Sequence, residues 1–125
     1  MQNNFWQHSK FHIFHVNIQG WLSHSAELTA RVRLIDEKPD LICVNETFLN
    51  GTVENVFLEG YTVVMRRDRA DGRNGGGILA LARREIAERI TVVLSSEAAE
   101  RAWLMAHTDR GPHLLGIWYR TPRPG

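Results

Sequence analysis

Glu46 follows closely on the apolar run Leu41–Val44, so a carboxylate stands at the end of a short segment with the character of a buried strand. A carboxylate in that position suits a hard divalent cation, because Mg²⁺ takes oxygen ligands and often only one or two carboxylates. Asn17 closes the earlier run Phe11–Val16 in the same manner. In open α/β sheets ligands gather at the carboxyl ends of strands, and adjacent parallel strands would bring these two side chains together. The neutral amide could then hold the carboxylate or a phosphate oxygen without adding charge. Strand-end polar residues also serve ordinary loops, so Glu46 as a loop cap and Asn17 as a turn residue stand as the alternative.

Four arginines, Arg66, Arg67, Arg69 and Arg73, surround a glycine-rich turn, with Asp68 and Asp71 as the counter-charges. Such a stripe can grip backbone phosphates, and it can equally be the solvated tip of a hairpin. Gly75-Gly-Gly77 lacks the Lys-Ser/Thr of a P-loop and leads into a strand, which favours a tight turn over a phosphate cradle. His12 and His15, three apart on a strand, face opposite sides and suit no common metal. His15 shares a face with Asn17 and reads as a core or rim histidine with a hydrogen-bond partner. His107 and His113 flank a turn and are placed to pair across it. Cys43 lies inside an apolar run with no basic neighbour, so packing is the better reading than nucleophile.

These residues need elements to position them. Phe11–Val16 is rich in β-branched and aromatic residues and reads as a strand. Ser25 then reads as an N-cap for a helix over Ala26–Lys38, with apolar Leu28, Val32 and Ile35 on one face. Pro39-Asp40 stops it, and Leu41–Val44 reads as a strand buried on both faces. Strand, helix, strand implies a parallel or mixed sheet. Tyr61–Arg66, Gly77–Ala82, Ile90–Leu94, Ala102–His107 and His113–Tyr119 follow as strands, with turns at Asp71-Gly72 and Asp109–Pro112. Arg83–Arg89 fits a helical turn or a strand extension. The fold class is mixed α/β with one flanking helix, and so many strands with one clear helix predict a sheet face left uncovered.

Composition narrows the function classes. At 125 residues, with 43% hydrophobic and 23% charged side chains, the chain has an ordinary globular composition, unlike a disordered tail. No apolar run approaches the ~20 residues of a membrane span. Fifteen basic and fourteen acidic residues give +1, so net charge by itself indicates no nucleic-acid partner. The single cysteine and the absence of a signal-like amino terminus predict an intracellular, non-secreted protein, with nucleus and cytoplasm left open. The Asn-x-Thr sequons at Asn45 and Asn50 are then chance matches.

The segments Val16-Asn-Ile-Gln-Gly20, Pro39-Asp-Leu-Ile-Cys-Val-Asn-Glu-Thr-Phe-Leu49, Gly75-Gly-Gly-Ile-Leu-Ala-Leu81 and Trp118-Tyr-Arg-Thr-Pro122 occur in an order that resembles the endonuclease/exonuclease/phosphatase superfamily. That is the fold of deoxyribonuclease I and of exonuclease III type apurinic/apyrimidinic endonucleases, and the likeness is greatest to the endonuclease domains of non-LTR retrotransposons. The resemblance implies a Mg²⁺ (or Mn²⁺) dependent phosphodiesterase acting on DNA, with Glu46 as the metal ligand and Asn17 beside it. It also implies Tyr119 close to the scissile phosphate and Arg120 as a phosphate contact. Gln19, Asn45 and Thr121 depart from the family phrases without removing an expected ligand.

The same resemblance implies about half of a four-layer α/β sandwich. Residues 1–10 are then a flexible amino-terminal segment, and 11–125 a partial domain whose carboxyl-terminal half is a required partner. The family's later Asp-x-Asn and Asp-His, which orient the water and act as general base, have no match in these residues. The sequence therefore predicts an isolated chain with little or no activity. A phosphatase branch of the superfamily and a non-catalytic remnant or binding module are the alternatives.

Overall fold

A computed structural model describes residues 11–68, 76–96 and 101–118. The amino-terminal segment 1–10, Arg69, Arg73, Tyr119 and Arg120 lie outside the described residues. The elements are strand β1 (Ile13–Asn17), helix α1 (Trp21–Leu34), strands β2 (Leu41–Asn45), β3 (Tyr61–Arg67) and β4 (Ile78–Arg83), a 3-10 helix (Arg84–Arg89), and strands β5 (Ile90–Ser96), β6 (Arg101–Thr108) and β7 (Gly111–Trp118). The class is mixed α/β with two sheets. Among the described residues no helix is long and apolar enough to cross a membrane.

β1 and β2 pair in parallel, β2 and β4 antiparallel, and β3 antiparallel to β4, giving the order β1-β2-β4-β3. β1, β2 and β3 therefore all end at the same edge of this sheet. β2 and β4 are its central strands, which is why Leu41–Asn45 and Ile78–Ala82 are buried without alternation. One face packs on α1 through Trp21, Leu28 and Val32 against Ile42, Val44, Leu79 and Leu81.

The later strands do not extend the mixed sheet that strand, helix, strand implies. β5, β6 and β7 form a second, three-stranded antiparallel sheet, because the chain turns through the 3-10 helix after Arg83. Ile86, fully buried, anchors that turn in the core between the sheets. The two sheets meet through small and branched residues, with Cys43, Ala80 and Ala82 on one and Ala102, Leu104 and Ala106 on the other. The segment left ambiguous, Arg83–Arg89, is thus a strand end followed by a helical turn. The central strands β2 and β4 of the four-stranded sheet are covered on both faces. The uncovered apolar surface is the outward face of the second sheet, where Leu94 and Leu114 are exposed. There the Trp103 ring lies over Gly116, where any Cβ would sit about 2.8 Å from it.

Helix α1 is also corrected: it starts at Trp21 rather than after Ser25, and stops at Leu34 rather than Lys38. The early start follows from tertiary bonds, since the Gly20 and Trp21 amides donate to the Glu46 and Thr47 carbonyls. At the other end Lys38 Nζ donates to the carbonyls of Val32 (2.6 Å), Arg33 (2.9 Å) and Ile35 (2.6 Å), capping groups that a helix leaves open. β1 begins at Ile13, two residues after the expected start, because the His12 carbonyl takes the Asp40 and Leu41 amides. His107 faces Pro112 and His113 faces Ala106 across the β6–β7 turn, so the two histidines do not pair directly.

Asp40 ties one end of the four-stranded sheet together. Its carboxylate accepts from Arg83 Nε (3.0 Å) and Nη2 (2.7 Å) and from the His12 amide (2.8 Å). Tyr61, on β3, donates its hydroxyl to the Pro39 carbonyl at 2.7 Å. Without Asp40 the Arg83 guanidinium keeps only the exposed Glu85 carboxylate at 3.0 Å, and the His12 amide loses its acceptor. Asp40→Ala is expected to lower stability by about 3 kcal/mol in urea denaturation. Replacing Arg83 with Leu in the same background should recover a good part of that loss.

Candidate functional site

The opposite end of the sheet gathers the residues with chemistry. Asn17 pairs in register with Asn45, Asn45 with Ile78, and Ile78 with Arg67. Paired residues point to one face, and Ile78 belongs to the core between the sheets. Asn17, Asn45 and Arg67 therefore form a row at the ends of three strands, directed toward the second sheet. Glu46 is the next residue after Asn45. The sequence-predicted pair Asn17 and Glu46 is thus brought to one sheet end by parallel pairing of β1 and β2.

Glu46 is held by its backbone. Three loops are laced together there: Ile18 N–H donates to Asn45 O (3.0 Å), Gly20 N–H to Glu46 O (2.9 Å), and Trp21 N–H to Thr47 O (2.8 Å). From the other side Thr47 N–H donates to Gly77 O (3.3 Å) and Phe48 N–H to Gly76 O (3.0 Å). Gln19, Glu46 and Phe48 all adopt positive φ, at 49°, 55° and 58°. For residues with a Cβ this costs of order 1 kcal/mol each or more, and such strain collects at functional sites. Of the glycines expected to form a tight turn, Gly75 lies outside the described residues, and Gly76 and Gly77 are both at positive φ.

Asn45 is the residue that sequence reading passed over, as a variant of a family phrase and a discounted sequon. It is 5% exposed. Its Nδ2 donates to His15 Nε2 at 3.0 Å, which fits an imidazole protonated on Nδ1. Its Oδ1 is buried with no hydrogen-bond partner, an arrangement that ordinarily costs about 1–3 kcal/mol. The sequence reading ended the second strand at Val44, so nothing in it marked Asn45 as a strand residue; the structure extends β2 to Asn45. His15 is a rim histidine with a partner, as its pattern indicated.

The arginines separate. Arg67 lies in the row with Asn45. Arg66 points the other way: its guanidinium bonds both carboxylate oxygens of Asp68 at 2.9 Å and the Asn50 carbonyl at 3.0 Å, clamping the loop after β2. A phosphate at Arg66 would have to share those bonds. Cys43 has its thiol pushed up to about 12 by burial, so it stays protonated and acts as packing.

Whether these residues suit a cation can be judged from their donor atoms. Glu46 offers carboxylate oxygens, Asn17 an amide oxygen, and Asn45 a buried amide oxygen without a partner; a hard cation prefers such oxygens and fills its other positions with water. Among the described residues there is no group of three or more His, Cys, Asp or Glu that could hold a metal ion, so any cation here would rest on Glu46 with amide oxygens and water. No protein-family model, no curated protein and no solved structure matches this chain.

Two outcomes are expected. A Cβ at Gly77 would fall inside contact distance of Thr47 Oγ1, and φ is 95° there, whereas nothing lies near a Cβ at Gly51. Gly77→Ala should therefore cost about 2–3 kcal/mol or more in chemical denaturation, and Gly51→Ala almost nothing. The second concerns pH. The Tyr61 hydroxyl is also raised to about 12, chiefly by burial. The unfolded chain releases these protons near the ordinary values of 9.0 and 10.0 while the folded one keeps them. The unfolded state then binds fewer protons, so stability is fully present below pH 9 and falls as pH rises toward 12. The slope for each group is about 1.4 kcal/mol per pH unit, and Cys43→Ala should roughly halve the combined slope in urea melts at alkaline pH.

Proposed function

We propose that this chain is the amino-terminal part of a Mg²⁺- or Mn²⁺-dependent phosphodiesterase of the endonuclease/exonuclease/phosphatase type, with DNA as the substrate of the intact domain. In this reading the two sheets and α1 are three layers of a deoxyribonuclease I-like four-layer sandwich. The observation that carries it is the placement of Asn17, Asn45 and Arg67 in one row at a sheet end, with Glu46 the next residue of the chain, beside a laced and strained loop. Oxygen donors and a guanidinium in one row suit a cation and a phosphate held together.

When bound, the cation supplies Lewis-acid polarisation of a phosphoryl oxygen and a more acidic water. Glu46 would hold it, with the Asn17 and Asn45 amides as neutral oxygen donors. Arg67 would face the phosphate charge, and His15 keeps the Asn45 amide oriented through the 3.0 Å bond. The row of Asn17, Asn45 and Arg67 holds no carboxylate or imidazole; Glu46 and His15 adjoin it, and His15 is engaged with Asn45. The Asp-x-Asn and Asp-His that the resemblance would supply are absent from these 125 residues. The reading is therefore of a domain that binds metal and phosphate but hydrolyses at a negligible rate.

Mn²⁺ binding followed by water-proton relaxation, together with nicking of supercoiled DNA, tests this reading. Saturable Mn²⁺ binding is expected in the wild type, weakened about tenfold or more in Glu46→Gln, with nicking at background in both. Metal-dependent nicking that Glu46→Gln abolishes would contradict the inactivity. An absence of saturable Mn²⁺ binding would remove the metal site altogether.

A further inference from the structure

Asn50, Gly51 and Thr52 stand in the loop after β2, all three exposed to water. An asparagine before a glycine can be attacked at its side-chain amide by the next backbone nitrogen, because glycine puts no Cβ in the way. At Gly51 nothing lies within 4 Å of the position a Cβ would take. Among the described residues no hydrogen bond uses the Gly51 N–H, which is open to water and hydroxide.

The loop is folded for that encounter. The Val53 N–H donates to the Asn50 carbonyl at 3.0 Å and closes a turn over residues 50–53. Within it Asn50 Oδ1 accepts from the Thr52 N–H at 2.9 Å and from the Thr52 hydroxyl. The backbone donor fixes which end of the amide is the oxygen. The ring closed by this side-chain turn contains both the Asn50 Cγ and the Gly51 nitrogen, which keeps the two atoms near one another.

The same bonds activate both reactants. The two donors on Oδ1 stand where negative charge gathers when a nucleophile adds to Cγ. The Asn50 carbonyl belongs to the peptide bond that carries the Gly51 nitrogen, and it also accepts from Arg66 Nη2 at 3.0 Å. A cation on that oxygen favours loss of the Gly51 amide proton, since positive charge stabilises the anion left behind. Arg66 is fixed in place by its two 2.9 Å bonds to Asp68.

We propose that Asn50-Gly51 is a self-modification site that converts through a cyclic imide. Hydroxide takes the Gly51 amide proton, the bond from Gly51 N to Asn50 Cγ forms, and the Cγ–Nδ2 bond breaks. The departing nitrogen takes a proton from water and leaves as ammonia, which regenerates the hydroxide. Water then opens the imide at either carbonyl. Cleavage at Cγ leaves an aspartyl residue at position 50, and cleavage at the main-chain carbonyl leaves an isoaspartyl residue whose backbone runs through Cβ and Cγ. Either product sets a carboxylate near Arg66 where a neutral amide stood. The isoaspartyl form also adds a carbon to the backbone of the loop that leads away from Glu46. The inference is independent of the proposed metal and phosphate chemistry.

Peptide mass spectrometry over time tests it, on the full chain folded in mildly alkaline buffer and unfolded in urea at the same pH. The amide-to-acid mass change at position 50 is expected about tenfold faster in the folded chain, with a separately eluting isoaspartyl peptide of the same mass. In urea Asn74-Gly75, the other Asn-Gly pair of the sequence, supplies the reference rate for this dipeptide. Thr52→Val and Arg66→Gln should each slow the folded reaction about threefold or more, with the rate in urea unchanged. If Arg66→Gln fails to fold, Thr52→Val decides. A folded rate no greater than the rate in urea, a Thr52→Val chain as fast as the wild type, or acid at position 50 without an isoaspartyl product would overturn the proposal.

Discussion

Thr47 is the point on which the rest of the structure depends. It is almost completely buried, and each of its polar groups is used. Its amide donates to Gly77, its carbonyl accepts from Trp21, and its hydroxyl accepts from the Leu49 amide at 3.3 Å. Those bonds join the loop after β1, the loop after β2 and the start of β4. A buried backbone without such partners would cost several kcal/mol in unsatisfied groups, so the three segments adopt this geometry together. The start of α1, the glycine at position 77 and the left-handed turn at Glu46 are all consequences.

The sheet is therefore organised with opposite tasks at its two ends. At one end Asp40, Arg83 and His12 satisfy one another, and Tyr61 is bonded to Pro39. At the other end, strain and incompletely satisfied polarity are concentrated: three non-glycine residues at positive φ and a buried amide oxygen without a partner. The Asp40–Arg83 pair and the proposed site are separated by the length of a five-residue strand. Folds commonly retain local costs where ligands are to be met, because a rigid scaffold elsewhere over-determines the geometry.

The inter-sheet core explains how so small a chain supports that arrangement. Alanines on β4 and β6 allow the two sheets to approach, and Ile86 in the 3-10 helix fills the β3/β5 side.

Much of this was legible in the residues. The unbroken apolar run Leu41–Val44 marks a central strand, because only a strand covered on both faces has no polar alternation. Strand, helix, strand over residues 11–44 forces the parallel pairing that brings Asn17 and Glu46 to one edge. What the sequence could not show was where the helix begins, since Gly20 and Trp21 are held by carbonyls some 26 residues away rather than by a local cap. Nor could it show that the later strands form a second sheet, because local pattern specifies strands and turns but not which sheet a strand joins. Asn45 acquired significance in the same way. As a residue type it is an ordinary polar side chain. Its burial, its bond to His15 and its unpartnered oxygen arise only when β1, β2 and the second sheet enclose it, because burial is a property of neighbours distant in the chain.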